Sequence, residues 1–197
     1  MTHTTDVRLG SEDIHVLASL MGKTLRSLYC DEFRYNPSTF QVAWLQTTDE
    51  LIAIENLLRP LDRFGSTEEV AVLSVGRAET GERASRLCDT KLMEVAIDKV
   101  VDEVLLVNDH EWVVGPDGTR YEHLLTKAII FDLGDSQLGL QKSIWFSEDM
   151  YVVRAQDALS ALRPAGDGAR FAEGCLSGAS REVLSVGELV GGEGALG

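Results

Sequence analysis

The sequence predicts a β-rich α+β fold. An N-terminal helix is followed by a curled antiparallel sheet, barrel-like or sandwich-like, and by a short helix toward the C-terminus. Three observations carry this expectation. Short runs of branched and aromatic residues recur, among them "TFQVAWLQ", "EEVAVLSV", "KLMEVAI" and "AIIFDL", the composition of strands. Tight-turn signals separate such runs, notably Gly115-Pro116-Asp117-Gly118 and Gly134-Asp135-Ser136. Helical spacing is clean only near the start. Seven or eight strands joined this way are enough for a sheet to curl or fold over itself.

Met1–Gly10 reads as a flexible leader. Ile14, Leu17, Met21, Leu25 and Leu28 then recur at steps of three and four, which predicts a helix over 12–27. Ser11 suits its N-cap, and Glu12 and Asp13 suit the positive end of the helix dipole. Asn36–Ser38 marks a turn, and a strand follows it. Residues 51–58 fit either a short helix stopped by Pro60 or a strand; Ile52 and Ile54 tilt the reading to strand. Residues 98–107 carry both periodicities, and a helical turn feeding a strand is expected there.

The first hairpin is the best defined. Pro116 at the second turn position and Gly118 in the left-handed region give a three-residue loop with a bulge, so that Gly115 faces Thr119. This register sets His110 opposite Leu124 and Glu111 opposite His123. The two imidazoles then lie on opposite faces, which argues against a shared metal. Glu111 and His123 are expected to form a surface cross-strand pair. A second hairpin turns at Gly134–Ser136. "QDALSALR" reads as the short helix, ending before Pro164. From there nine of 34 residues are glycine, which predicts a mobile tail over 164–197. Residues 181–190, "REVLSVGELV", are apolar enough to dock. Between leader and tail, 11–163 reads as a single globular domain.

With 197 residues and 44% hydrophobic content, the chain can bury a core without disulfides or metals. Cys30, Cys88 and Cys175 are scattered and odd in number, which reads as reduced thiols in a cytoplasm. The longest apolar runs are a few residues, far from the ~20 that a membrane helix needs, and the first ten residues lack signal-peptide features. The net charge is −14. It disfavours nucleic-acid binding through a basic patch and suits either simple solvation or a basic protein partner.

Motifs for chemistry are sparse. Ser147 lacks a Gly-x-Ser-x-Gly context. Cys30 sits beside Asp31 and Glu32, which oppose thiolate formation. The glycines near the end lack the Lys-Ser/Thr close of a phosphate loop. Asp132, Asp135, Glu148 and Asp149 could gather at one end of the second hairpin, but sequence defines no acid–base separation among them. The densest feature is "QKSIWFSEDMYVV". Strand alternation through Phe146 puts Leu138, Leu140, Ile144 and Phe146 on one face and Trp145 on the more polar one. Ser147-Glu148-Asp149 then makes a corner. Trp145 is expected to pack under the helix or tail, or else to stand exposed as a binding anchor; Trp145, Glu148 and Asp149 are the candidate binding residues, and no catalytic residue, metal ligand or cofactor is assigned.

These readings lead to a small acidic, bacterial-type cytoplasmic protein that works as a non-enzymatic protein-binding or accessory module. One alternative is a small-molecule-binding β-barrel with weak hydrolase or isomerase activity, its mouth near Trp145, Glu148 and Asp149. The other is an acidic inhibitor of the immunity or DNA-mimic type.

Overall fold

The computed structural model describes residues 1–33, 36–63, 65–79, 81, 83–166 and 175–193. Twelve strands and two helices follow in order among them. They are β1 (Thr2–Val7), α1 (Ser11–Ala18), β2 (Thr24–Asp31), β3 (Ser38–Phe40), β4 (Val42–Thr47), β5 (Leu51–Arg63) and β6 (Ser66–Ala78). After these come β7 (Leu92–Val100), β8 (Glu103–Val114), β9 (Arg120–Asp132), β10 (Gln137–Lys142), β11 (Asp149–Ala155), β12 (Leu176–Ser185) and α2 (Val186–Glu193).

The strands make two sheets that do not close into a barrel. The first runs β12-β8-β9-β10-β11-β3, with β1 added alongside β9; the second runs β6-β5-β4-β2-β7. Every pairing is antiparallel except β1 with β9. Leu106, Ile129, Phe131, Leu140 and Val152 of the first sheet share one buried core with Leu28, Leu45, Ile52, Ile54 and Leu73 of the second, the arrangement of a sandwich. Leu17 of α1 and Val186 of α2 belong to the same core. The helix α1 lies beside β6, α2 beside β8, and the two helices touch.

The N-terminal helix is real but ends early. It covers Ser11–Ala18, and the chain turns through Gly22 at φ +76° into β2. The spacing of Leu25 and Leu28 looks helical for a different reason. A bulge between Leu25 and Ser27 adds one residue to the strand, so two leucines three apart both reach the core. The N-cap is Gly10, not Ser11. Asp13 accepts the Gly10 N–H at 2.9 Å through Oδ2 and the Val75 N–H at 2.7 Å through Oδ1. The helix start is thereby tied to β6.

Residues 98–107 contain no helical turn. Asp98, at φ +50°, lies in the β7 bulge opposite β2, and only two residues separate the end of β7 from the start of β8. These phase changes produce the helix-like spacing of Ile97, Val101 and Val104. Residues 51–58 are strand. Pro60 is accommodated because β5 has no β4 partner beyond Glu55, an edge position of the kind proline tolerates.

The leader and tail readings need correction. Thr2–Val7 pairs in parallel with Arg120–Leu125. Leu176–Ser185 pairs along β8 from Val114 to Leu105, and the short C-terminal helix is α2. Residues 167–174 and 194–197 lie outside the described residues. "QDALSALR" forms turns with i to i+3 hydrogen bonds, Ala161 N–H to Ala158 O and Leu162 N–H to Leu159 O. Asp157 accepts the Ser160 N–H at 3.0 Å, and Ala158 and Leu162 pack on Val107, Ala128 and Ile130 behind the first sheet.

What fastens β12 is charge as well as ladder. Arg181 makes a two-pronged pair with Asp109, 2.6 and 2.8 Å, and also donates to the Arg163 carbonyl at 2.8 Å. The Asp109 side chain is fully buried. At the other end Gly178 lies against Trp112 so closely that a Cβ there would fall 2.4 Å from the indole. Replacing one partner of a buried pair strands the other charge. Arg181→Met is expected to cost about 3–5 kcal/mol, read as a lowered urea midpoint, and Asp109→Asn together with Arg181→Met should recover much of that loss.

Candidate functional site

The strand reading of "QKSIWFSEDMYVV" stops short of Trp145. β10 ends at Lys142 and residues 144–146 turn. The alternation therefore breaks. Leu138 and Leu140 are buried, but Ile144 and Phe146 are 44% and 49% exposed, while Trp145 is 7% exposed. Trp145 packs with Val7, Val70 and Leu125 and donates its indole N–H to Glu111 Oε2 at 2.9 Å. It is an internal strut, not an exposed anchor.

Glu148 and Asp149 form the expected corner. The Glu148 carboxylate accepts the Leu58 N–H at 3.0 Å and the Gln41 side-chain amide at 2.8 Å. Its carbonyl accepts the Gln41 N–H. Gln41 sits at φ +63° where the chain leaves β3 in one sheet for β4 in the other. Glu148 thus holds the crossing between sheets. Asp149 accepts the Ser147 hydroxyl at 2.9 Å. Asp132 and Asp135 lie at the opposite end of β10, at the Gly134 turn, with Asp135 paired to Lys99; the four acids do not gather.

Trp145 belongs to a buried layer of ionisable groups. The hairpin register places Glu111 opposite His123 and His110 opposite Leu124, as the loop chemistry requires. The Glu111–His123 pair is inside, however, not on the surface. The edge of His123 meets Trp145 at a centroid distance of 5.3 Å. Lys142, 1% exposed, lies 5.6 Å from the Trp145 ring and donates to the Ala71 carbonyl. Lys127 donates to the Ser143 carbonyl at 2.6 Å. Burial pulls the Lys142 pKa down to about 7, with Lys127 reinforcing the shift and Glu111 opposing it. Burial also pushes the Cys30 thiol up to about 12, Asp31 adding to it, which leaves little thiolate near neutral pH.

The open concave surface lies elsewhere, where β12, β8 and β9 run past α1 and α2. Two adjoining depressions share Arg8 and Asn108. One, of about 300 Å³, is polar, lined by His110, Ser180, Arg181 and Glu182. The other, of about 370 Å³, is lined mainly by Leu9, Ile14, Leu106, Leu184 and Leu189. Asn108 is fixed between them, since Thr126 donates to its Oδ1 at 2.8 Å and Leu9 N–H donates to Thr126 at 3.0 Å. His110 lies 3.8 Å from Glu122, and Arg120 lies over the half-buried Trp112 ring at 5.1 Å. The Arg8 guanidinium holds Asp6 below the usual carboxylate range.

No protein-family model, curated protein or solved structure matches the chain. Among the described residues no helix is long and apolar enough to cross a membrane. The groove residues were not candidates from sequence because they come from strands as distant as β1 and β12. The one available signal was the hairpin register, which turns His110 and Leu124 to the same face.

Lys142 makes the buried layer testable by titration. Below pH 7 the amine is charged in both folded and unfolded chains. Between about 7 and the ordinary 10.5 the unfolded chain holds the extra proton, so stability rises with pH. Relative to Lys142→Met, the wild-type protein is expected to gain stability from pH 7 to 9, approaching about 1.4 kcal/mol per pH unit. Urea unfolding of both proteins at pH 7, 8 and 9 measures this; parallel curves would refute the buried amine.

Proposed function

We propose that the protein is a non-enzymatic binding module whose groove between β12, β8 and α1 accepts an extended segment of a basic partner protein. The observation that carries this is the division of one continuous groove into an apolar end and a polar end about the shared Arg8 and Asn108. Such a surface selects a large apolar side chain followed by a polar one. Charge supports the sign of the partner. Asp6, Asp109 and Glu122 are matched by Arg8, Arg181 and Arg120. Glu182 lines the groove at an exposed position, its charge felt by Arg8 but with Arg8 bonded directly to Asp6, and the chain as a whole carries −14. A basic side chain would find its counter-charge at Glu182 and be steered there by the wider field. Free thiols at Cys30, Cys88 and Cys175 support placing this activity in a reducing cytoplasm.

Selection of random displayed peptides on the full chain is expected to enrich a large apolar residue followed within a few positions by Lys or Arg. The corresponding synthetic peptide should bind at least about tenfold more weakly to Glu182→Lys, by loss of the charge pair, and to Ser180→Trp, which plugs the polar end. Both substitutions fall at exposed positions, so the fold is retained. Absence of enrichment, or equal binding to both variants, refutes the groove.

A further inference from the structure

On the face of the second sheet turned away from the core, one cross-strand row reads Gly76, Ala53, Trp44, Tyr29 and Glu94 across β6, β5, β4, β2 and β7. The two small residues leave a depression of about 440 Å³ beside the Trp44 indole, walled by Glu55, Ala78 and Arg86. A Cβ placed on Gly76 meets nothing within 4 Å, so the floor is open. The segment leading to Arg86 is held against the sheet at two points. Arg83 lies 4.2 Å over the Tyr29 ring, and the Ser85 hydroxyl donates to Asp31 at 2.5 Å.

The indole nitrogen of Trp44 is buried and has no hydrogen-bond acceptor among the described residues. Native proteins rarely leave such a donor unmatched, and each case calls for an explanation. The side chains clustered with Trp44 are Val42, Leu51, Ala53, Ala78 and Leu92, which offer only hydrocarbon, and Tyr29, whose hydroxyl is turned to Glu94. Trp44 lines the depression, and a small turn of its ring would bring the buried N–H to an acceptor there. Arg86 adds a second donor set there. It is 51% exposed and pairs only loosely with Glu55, at 3.8 Å, a contact that an incoming carboxylate bonded by the guanidinium fork would displace. Arg77, by contrast, is engaged by Glu50 at 2.9 Å and Ser19 at 3.1 Å.

We infer that this depression binds a small planar molecule carrying a carboxylate, held by the Trp44 indole N–H and the Arg86 guanidinium over the Gly76–Ala53 floor. The flat part lies on backbone and methyl groups where a larger side chain would exclude it. The carboxylate supplies the acceptor the indole lacks and pairs with Arg86.

Benzoate is a suitable probe, with benzamide and benzylammonium as the neutral and cationic comparators. In nitrogen-15-labelled protein, the Trp44 indole resonance is assigned by its loss in Trp44→Phe. Benzoate is expected to move that resonance saturably, benzamide less, and benzylammonium not at all. Arg86→Gln should weaken benzoate binding at least about tenfold, as loss of a charge-assisted bond does. Gly76→Val fills the floor with a residue suited to strands; it should abolish the shift while leaving the unfolding midpoint at or above wild type. A Trp44 resonance indifferent to benzoate would overturn the inference. So would a shift that survives unchanged in Gly76→Val or Arg86→Gln.

Discussion

The architecture hangs on one register break in β9. Val107 faces Ala128 and Asn108 faces Thr126, so Lys127 is an extra residue in the ladder. On one edge β9 pairs with β8 throughout. On the other it pairs with β10 down to Ala128 and with β1 from Leu125 onward. The bulge falls where one neighbour ends and the other begins. A bulge twists its strand and re-aims side chains, and here it delivers an ammonium to the Ser143 carbonyl just where β10 stops. The end of β10 is therefore closed by side chains rather than by another strand.

That closure explains why so many polar groups are inside. Ala71 of β6 donates its N–H to the Trp145 carbonyl and accepts from Lys142, so the second sheet is stitched to the loop after β10 by both its donor and its acceptor. Trp145 passes the connection on to Glu111 in β8. Glu148 performs the same service at the other crossing, through Gln41 and Leu58. Buried polar networks are costly unless each member is satisfied, and these span both sheets. The consequence for function is spatial. Residues that look chemically rich in sequence are consumed by the frame, and open surface is left to the groove beside α1 and to the depression beside Trp44.

The parts of the fold legible in sequence are those set by local chemistry. Pro116 and Gly118 dictated a three-residue loop, and that loop fixed the pairing of Glu111 with His123. Gly134 likewise marked its turn. Periodicity misled where bulges intervened. Leu25 and Leu28 look helical because an inserted residue resets the strand phase, and the same holds around Asp98. Trp145 was placed on the correct segment, but its face was misjudged because the strand ends at Lys142, four residues before the Phe146 that alternation implied. Burial of Glu111 and His123 could not be foreseen, since it depends on β1, β6 and the loop after β10 covering them. The glycine-rich composition after Pro164 concealed β12, whose glycine at 178 is there to admit the Trp112 ring.

The parallel pairing of β1 with β9 also sets an order of events. Thr2 meets Arg120 and Val7 meets Leu125, so β1 has no partner until the chain has been made through β9. β8 likewise keeps a bare edge until Leu176–Ser185 arrives to pair with it. The hairpin of β8 and β9 can therefore form before β1 and β12 are added to its two strands. Long-range closures of this kind slow folding, and the waiting edge of β8 is a template for another chain. The charged residues Asp109 and Glu111 along it would keep nascent copies from joining one another before Arg181 is made.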